Sequence, residues 1–324
     1  MTIVITGASG FIGTNFINFI SKFGYEIFNY DINPPRDLTQ LKYWKNVDIL
    51  DEEVLSINLL ADKPNYIVHF AARTDLNEKV NLSGYNVNIE GVENLMRLAS
   101  NLEGLNRIIV ASSMLVCKAG YFPSSFEDYC PNSLYGESKV LTEKIVKNYD
   151  CNWVIVRPTS IWGPWFKEPY FDFFNLVIKG WYFNLPKEVS STKTYGFVEN
   201  ICLQVHSIML APVELVNHNF YYLGDSVPIN VSVWADKIRY SLGKRPLPII
   251  PVSLLRFAAL VGDFLHKYFH IYKYPMSSFR YKNMTTDNVI ASIAETNNFV
   301  DTNKFISLEV GITKTLEWIN KQSK

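Results

Sequence analysis

The segment Thr6-Gly7-Ala8-Ser9-Gly10-Phe11-Ile12-Gly13 follows directly on the apolar run Ile3-Val4-Ile5. A short strand, a glycine-rich turn and a helical pattern from Phe11 to Ile17 together describe a strand–turn–helix that cradles a dinucleotide pyrophosphate. Each glycine has its own task there. Gly7 allows the tight exit from the strand, Gly10 lets the backbone approach the phosphates, and Gly13 lets the helix pack close to the sheet. Ser9 stands inside the turn, and Phe11 and Ile12 open the helix whose positive dipole end faces the phosphates. Glycine spacing alone describes an ordinary turn equally well, so its context decides. The second apolar run, Tyr25 to Tyr30, ends in Asp31. An acid at that distance from the turn hydrogen-bonds the adenosine ribose hydroxyls. It would repel a 2′-phosphate, which favours NAD over NADP; Arg36 in the following loop keeps NADP as the alternative.

Strand and helix patterns alternate through the first half, the mark of an α/β chain with a doubly wound, Rossmann-type parallel sheet. Strands are expected at Ile3–Thr6, Glu26–Tyr30, Val47–Ile49, Tyr66–Phe70, Arg107–Ser112 and Trp153–Arg157. Helices are expected between them at Phe11–Phe23, Glu52–Leu60, Gly84–Leu102 and Tyr135–Tyr149. From Pro158 the character changes: prolines, glycines and aromatics become frequent, as in Ile161-Trp162-Gly163-Pro164-Trp165. We therefore expect an NAD-binding domain at 1–158. A smaller mixed α/β substrate lobe is expected at 159–324, with some of its segments returning to the sheet.

Composition narrows the function. The 324 residues are 48% hydrophobic and 19% charged, enough for a full core. Lysine plus arginine equals aspartate plus glutamate, 31 each, so no basic excess exists for a nucleic-acid backbone. Cys117, Cys130, Cys151 and Cys202 lack C-x-x-C spacing, and the five histidines do not pair at metal-ligand spacing. Neither a disulfide framework nor a metal site is expected, and a reducing cytoplasm is the simple reading. The chain opens on a strand with no charged leader pattern. The apolar stretch Val252 to Ile271 is interrupted by Arg256, Asp263, His266, Lys267 and His270, so it reads as an amphipathic helix and not a membrane span, core-facing in the first reading and docked on a membrane surface in the alternative.

Tyr135-Gly136-Glu137-Ser138-Lys139 carries the chemistry. Tyr135 and Lys139 are four apart at the start of a helix pattern and share one face. A phenol with a pKa of about 10 is a poor base at neutral pH, and a nearby ammonium favours the phenolate; a shift of ~3 units needs ~4 kcal/mol. The preceding strand ends in Ser112-Ser113, where a hydroxyl can hold a substrate hydroxyl or carbonyl against the phenol. Alone, the tyrosine–lysine pair reads as surface helix residues and the serines as turn formers.

With these pieces in order, the chain resembles the extended short-chain dehydrogenases/reductases, in the NAD-dependent epimerase/dehydratase group of nucleotide-sugar enzymes. Nearly the whole chain is covered. The matching residues are the glycine turn, Asp31, Asp48-Ile49, His69-Phe70-Ala71-Ala72, Asn88-Ile89-Glu90-Gly91, Ser112-Ser113, Tyr135 with Lys139, Arg157-Pro158, Gly163-Pro164 and Lys193 to Val198. The resemblance implies a Ser113–Tyr135–Lys139 catalytic triad and puts Asp48 and Ile49 at the adenine. It adds Ala71, Ala72, Arg73, Asn88, Ser112 and Pro158 to the cofactor site, where Tyr135 and Lys139 also contribute. Arg73, Ser113, Tyr135, Lys193 and Arg280 would meet a nucleotide-sugar substrate. Homodimers built on the helices Gly84–Leu102 and Tyr135–Tyr149 are usual in the group, although the apolar spacing there equally fits packing on the sheet.

Departures from the group's pattern refine the expectation. Dehydratases carry an acid pair where Met114 and Leu115 stand, and the 3,5-epimerase/reductases carry a cysteine at Met114. Methionine moves no protons, so elimination and ring epimerisation through that position lack a proton carrier. A 4-epimerase, which oxidises and re-reduces with a tightly held NAD, a 4-ketoreductase or a sugar dehydrogenase remains, and the choice turns on whether NAD is retained. Cys117 replaces a common tyrosine and reads as a small buried hydrophobe. Lys193 and Thr194 replace an Arg-Asp pair, which keeps a positive charge but loses the bidentate fork. Met284 to Asn288 and the closing helix around Trp318 resemble the 3β-hydroxysteroid dehydrogenase branch. An alcohol or hydroxysteroid dehydrogenase is therefore the alternative, and a non-catalytic NAD-binding regulator a third reading.

Overall fold

The computed structural model describes residues 1–76, 80–167, 169–269 and 277–322, without the side chains of 266–269, 279, 280 and 283. The chain alternates β1 (Thr2–Thr6), α1 (Phe11–Ile20), β2 (Glu26–Asp31), β3 (Trp44–Asn46), α2 (Glu52–Asp62), β4 (Tyr66–His69), α3 (Asn86–Ala99), β5 (Arg107–Ala111), α4 (Leu134–Lys147) and β6 (Trp153–Pro158). There follow β7 (Ser160–Trp162), α5 (Tyr170–Lys179), β8 (Thr192–Lys193), β9 (Tyr195–Phe197), α6 (Val198–Leu210), α7 (Val213–Val216), β10 (Asn219–Leu223) and β11 (Ile229–Asn230). Helices α8 (Val231–Ser241), α9 (Val252–Phe269), α10 (Ser278–Thr285), α11 (Ile293–Asn297) and α12 (Leu308–Gln322) complete it.

Two compact units result. The first comprises Met1–Trp165, Gly196–Asp225 and Ala291–Ile306; the second comprises Phe166–Tyr195, Ser226–Ile290 and Ser307–Lys324. The first is built on a seven-stranded sheet in the order β10-β6-β5-β4-β1-β2-β3, all pairs parallel. This is the Rossmann-like α/β architecture. Parallel strands need crossover helices, and successive strand residues point to opposite faces, so both faces must be apolar. Accordingly Ile3 and Ile5 join Phe16, Ile17 and Ile20 of α1 and Ile201 and Val205 of α6 in one core. Val4 points the other way and joins Leu55 and Leu59 of α2 with Val92, Leu95 and Met96 of α3. Replacing Leu95, which is fully buried, with alanine would cost about 2–5 kcal/mol.

The strand expected at Val47–Ile49 lies three residues earlier. Trp44, Lys45 and Asn46 pair with Asn29, Tyr30 and Asp31. Val47 and Ile49 are buried, yet they sit in the turn that leads to α2. Their apolar side chains signalled burial and not a ladder. Helix α1 also stops sooner than its pattern suggests, passing through a tight turn at Ser21–Phe23 to Gly24 in the left-handed region.

The second unit gathers its aromatics around Trp234 on α8. The rings of Tyr195, Phe173 and Phe174 lie 4.6, 5.0 and 5.6 Å from it. Strand β8 pairs antiparallel with β11, and Lys193 bridges to Asn288. Among the described residues, no helix is long and apolar enough to cross a membrane.

Candidate active site

The glycine turn lies at the carboxyl end of β1. Gly7 has φ +72° and donates to Tyr30 O at 2.8 Å. A Cβ on Gly7 would lie 2.4 Å from the Ala71 backbone, and one on Gly13 would lie 2.4 Å from the Ala8 Cα. Both positions are closed by the protein itself. Gly10 differs: its only neighbour within 4 Å would be Gly7 O at 3.1 Å. It is also the N-cap of α1 and supplies no side-chain cap. The turn therefore presents a helix amino end without a side-chain cap and with far less crowding than at Gly7 or Gly13, which fits a pyrophosphate.

Asp31, at the end of β2, organises the far side of this turn. One carboxyl oxygen accepts from Ser9 N at 3.1 Å and the other from Asn33 N at 2.9 Å. Ser9 Oγ donates to Asn33 O at 2.8 Å. Burial pushes the Asp31 carboxyl up, against the pull of those backbone bonds and of Arg36. Each carboxylate oxygen has lone pairs left for ribose hydroxyls. The Arg36 guanidinium donates to Trp165 O at 2.9 Å. Further along, Asp48 accepts from Leu50 N and Ile49 is buried. A Cβ on Gly91 would lie 2.7 Å from the Ile49 side chain, so that glycine makes room for Ile49.

The loop after β4, carrying Ala71, Ala72 and Arg73, is held by Asn88. Its carboxamide accepts from Arg73 N at 2.8 Å and donates to Arg73 O and to Ser138 Oγ, each at 3.0 Å. Ser138 Oγ in turn donates to Tyr135 O at 2.7 Å. Asn88 thus couples the loop to the first turn of α4. The Arg73 side chain pairs with Asp75 at 2.6 Å and donates to Gly84 O at 2.8 Å.

Helix α4 begins where Ser133 Oγ accepts from Gly136 N at 3.1 Å, a standard N-cap. That start puts Tyr135 and Lys139 one turn apart, both buried. Lys139 Nζ donates to Ala111 O at 2.9 Å, at the end of β5. The Ser113 side chain lies close enough to the Tyr135 phenol to act on its charge balance. Ser113 Oγ also accepts from Leu115 N at 3.1 Å, capping the turn over Met114–Val116. Burial pushes the Tyr135 phenol up to about 12, with Ser113 opposing. Burial pulls the Lys139 ammonium down to about 8, with Glu143 opposing. A cleft of about 240 Å³ lined by Leu76, Tyr85, Ser133, Tyr135 and Glu137 opens beside the phenol.

Beneath this cluster lies a network that sequence reasoning missed. Glu143, one turn beyond Lys139, accepts from Arg157 Nε at 2.8 Å and Nη2 at 2.7 Å, with both side chains fully buried. Ser112 Oγ donates to the same carboxylate at 2.5 Å. The Ser112 hydroxyl is therefore turned toward Glu143. The available signal was the spacing: a carboxylate four residues after Lys139, followed by an arginine inside an apolar strand. His69 is likewise buried, with Nδ1 2.6 Å from Thr6 Oγ1. Burial and the Lys139 charge pull it down to about 3, so it is neutral.

Pro158 ends β6. Lys193 belongs to the second unit, where burial pulls its ammonium down to about 8 against Asp287. The Arg280 side chain lies outside the described residues. Cys117 Sγ donates to Asp128 O at 3.3 Å, and burial pushes its thiol up. Among the described residues, no cluster of histidine, cysteine or acids could hold a metal ion.

The chain is similar to known proteins in sequence and in fold. Residues 3–179 match the model of the NAD dependent epimerase/dehydratase family. A 3-beta-hydroxysteroid dehydrogenase of Mycolicibacterium neoaurum is 26% identical over 295 residues, covering 82% of this chain and 76% of that protein. An N-acetyl-alpha-D-glucosaminyl-diphospho-ditrans,octacis-undecaprenol 4-epimerase of Escherichia coli O157:H7 is 25% identical, covering 98% of this chain and 94% of that one. In fold, the UDP-glucose 4-epimerase of Thermotoga maritima superposes with a TM-score of 0.75 at 18% identity, covering all of both chains.

Proposed function

We propose that this chain, which belongs to the NAD dependent epimerase/dehydratase family, is a nucleotide-sugar 4-epimerase or 4-ketoreductase. The observation that carries the reading is the buried Ser113–Tyr135–Lys139 cluster beside a turn with no carboxylate at Met114 or Leu115. Hydride transfer needs only that cluster; dehydration would also need carboxylates on the turn.

Gly7, Ser9, Gly10, Phe11, Ile12 and Gly13 would hold the pyrophosphate, Asp31 the adenosine ribose, and Asp48 with Ile49 the adenine. Ala71, Ala72, Arg73, Ser112, Lys139 and Pro158 would border the rest of the cofactor, and Asn88 would keep their loop in place. NAD held there would supply the hydride chemistry at the sugar carbon. Tyr135 exchanges the proton of the sugar hydroxyl, and Ser113 orients that hydroxyl. In the resting protein Tyr135 is a neutral phenol, ready to donate a proton. Acting as a base at pH 7 requires lowering its pKa by about five units, roughly 7 kcal/mol of favourable charge interaction. Lys139, still cationic at that pH, supplies part of it. Lys193 and Arg280 would meet the diphosphate.

The substrate would be a precursor of a surface polysaccharide, and the enzyme a cytoplasmic homodimer. Four free cysteines suit a reducing compartment. The second reading, an alcohol or hydroxysteroid-type dehydrogenase, is favoured by one observation: the steroid dehydrogenase relative matches over 82% of the chain. Incubation with UDP-, GDP- and dTDP-sugars, with and without added NAD(H), separates the two. Conversion of no sugar, together with oxidation of a hydroxysteroid, would overturn the first reading. Stoichiometric NAD released from the denatured protein selects the epimerase, which recycles its cofactor.

A further inference from the structure

Helix α9 has two apolar sides. Leu255 and Ala259 are buried, as a core-facing helix requires. On the other side Leu254 is 55% exposed, Phe257 65%, Leu260 59%, Val261 39% and Phe264 54%. At the helical repeat these five positions fall within about 120° of arc, a continuous apolar stripe. Its amino end continues into further exposed apolar groups. Segment Pro248–Ile250 is bonded to Asn184 through Asn184 N to Pro248 O and Ile250 N to Asn184 O, both near 3 Å. Beside that junction Ile249 is 66% exposed and Phe183 49%. Isolated exposed apolar residues are ordinary, but a run of this extent is an interaction surface.

Charge decides what the surface fits. Between Lys244 and Phe264 the sequence has three lysines and arginines, Lys244, Arg245 and Arg256, against one acid, Asp263, although the whole chain balances 31 against 31. Asp263 is itself engaged, accepting from Ser278 N. Lys244 and Arg245, in the segment that leads into α9, and Arg256 on α9 itself are exposed. Lys179 lies over the exposed Trp181 ring, and Lys244 Nζ donates to Ile178 O, so these two cations gather at the segment Ile178–Trp181. Two copies meeting face to face would oppose like charges. A nucleic acid would use the cations and leave the phenylalanines and leucines without purpose. An anionic bilayer uses both: acyl chains take the stripe and headgroups take the cations.

We propose that α9 and its basic flanks dock the enzyme on the surface of an anionic phospholipid membrane. The helix lies in the headgroup region and does not cross. The test is co-sedimentation of the full chain with vesicles of phosphatidylcholine alone or mixed with phosphatidylglycerol, at low and high salt. Binding to the mixed vesicles, lost at high salt and on phosphatidylcholine alone, is expected. Phe257→Gln with Leu260→Gln, and separately Lys244→Glu with Arg245→Glu, should each weaken it by at least about tenfold. NAD affinity should stay unchanged in both, since neither pair belongs to the glycine turn or the Tyr135 cluster. Absence of binding, equal binding to both vesicle types, or indifference to both pairs of substitutions would overturn the proposal. So would self-association in solution that the Phe257 and Leu260 changes abolish, which would give the stripe to a second copy.

Discussion

Arg157 grips Glu143 with two nearly parallel hydrogen bonds, 2.8 and 2.7 Å, and neither side chain is exposed to solvent. The guanidinium is further enclosed by the rings of Phe126, Tyr129, Phe220 and Tyr222. Removing one partner from such a pair strands a buried charge. Glu143→Gln or Arg157→Met should therefore destabilise the protein by about 3–5 kcal/mol in denaturant unfolding. The double change Glu143→Met with Arg157→Met should lose much less than the two single losses added together. A double variant as damaged as the sum would mean the pair is not coupled.

Lys139 is held as a buried cation at a cost. Its folded pKa, about 8, lies below the ordinary lysine value of 10.5 because burial disfavours the charge. Between those values the unfolded chain binds more protons, so this group's contribution to stability rises with pH from about 8 to 10.5. The full 2.5-unit shift corresponds to about 3 kcal/mol. Lys139→Met removes that dependence along with the bond to Ala111 O. The stability of the native protein relative to this variant should increase between pH 7 and pH 10, while the variant loses turnover. A difference that stays flat across that window would mean that Lys139 titrates as an exposed lysine does.

Tyr135→Phe keeps the ring that packs 6.2 Å from Tyr85 and removes only the hydroxyl. Turnover should fall by about 10²–10⁴-fold, the range for removing a general acid–base group. NAD affinity should change little. Ser113→Ala should lower turnover as well, and it also deletes the cap on Leu115 N. A Tyr135→Phe enzyme that keeps its turnover would take Tyr135 out of the chemistry.

The sequence carried the sheet and the cluster because both obey short-range rules. Ile3, Val4 and Ile5 alternate between two cores, and Tyr135 and Lys139 share a face simply by being four apart. The β3 register did not follow from apolarity, because Val47 and Ile49 are buried in a turn. The Glu143–Arg157–Ser112 network escaped for another reason. It joins β5, α4 and β6, and long-range pairing of polar groups leaves no periodic trace. Asn88, expected at the cofactor, also reaches Arg73 and Ser138 with its amide, contacts that appear only once the loop and α4 are brought together.

The three glycines of the first turn should respond differently to alanine. At Gly13 the new Cβ would lie 2.4 Å from Ala8 Cα and 2.8 Å from Gly7 O, contacts with backbone that cannot swing away. At Gly7 the clash with the Ala71 backbone adds to a φ of +72°, which alanine tolerates poorly. Both variants should lose stability whether or not NAD is present. Gly10 has φ −75° and meets only Gly7 O, at 3.1 Å. Gly10→Ala should therefore lose much less stability than the other two variants in the absence of NAD. Its methyl group would project where the pyrophosphate must approach, so NAD affinity should drop by at least about tenfold, and the stabilisation that saturating NAD confers should shrink with it. Thermal unfolding of the three variants with and without NAD measures both quantities. Undiminished NAD stabilisation of Gly10→Ala would remove this turn from the cofactor site, however well the variant folds.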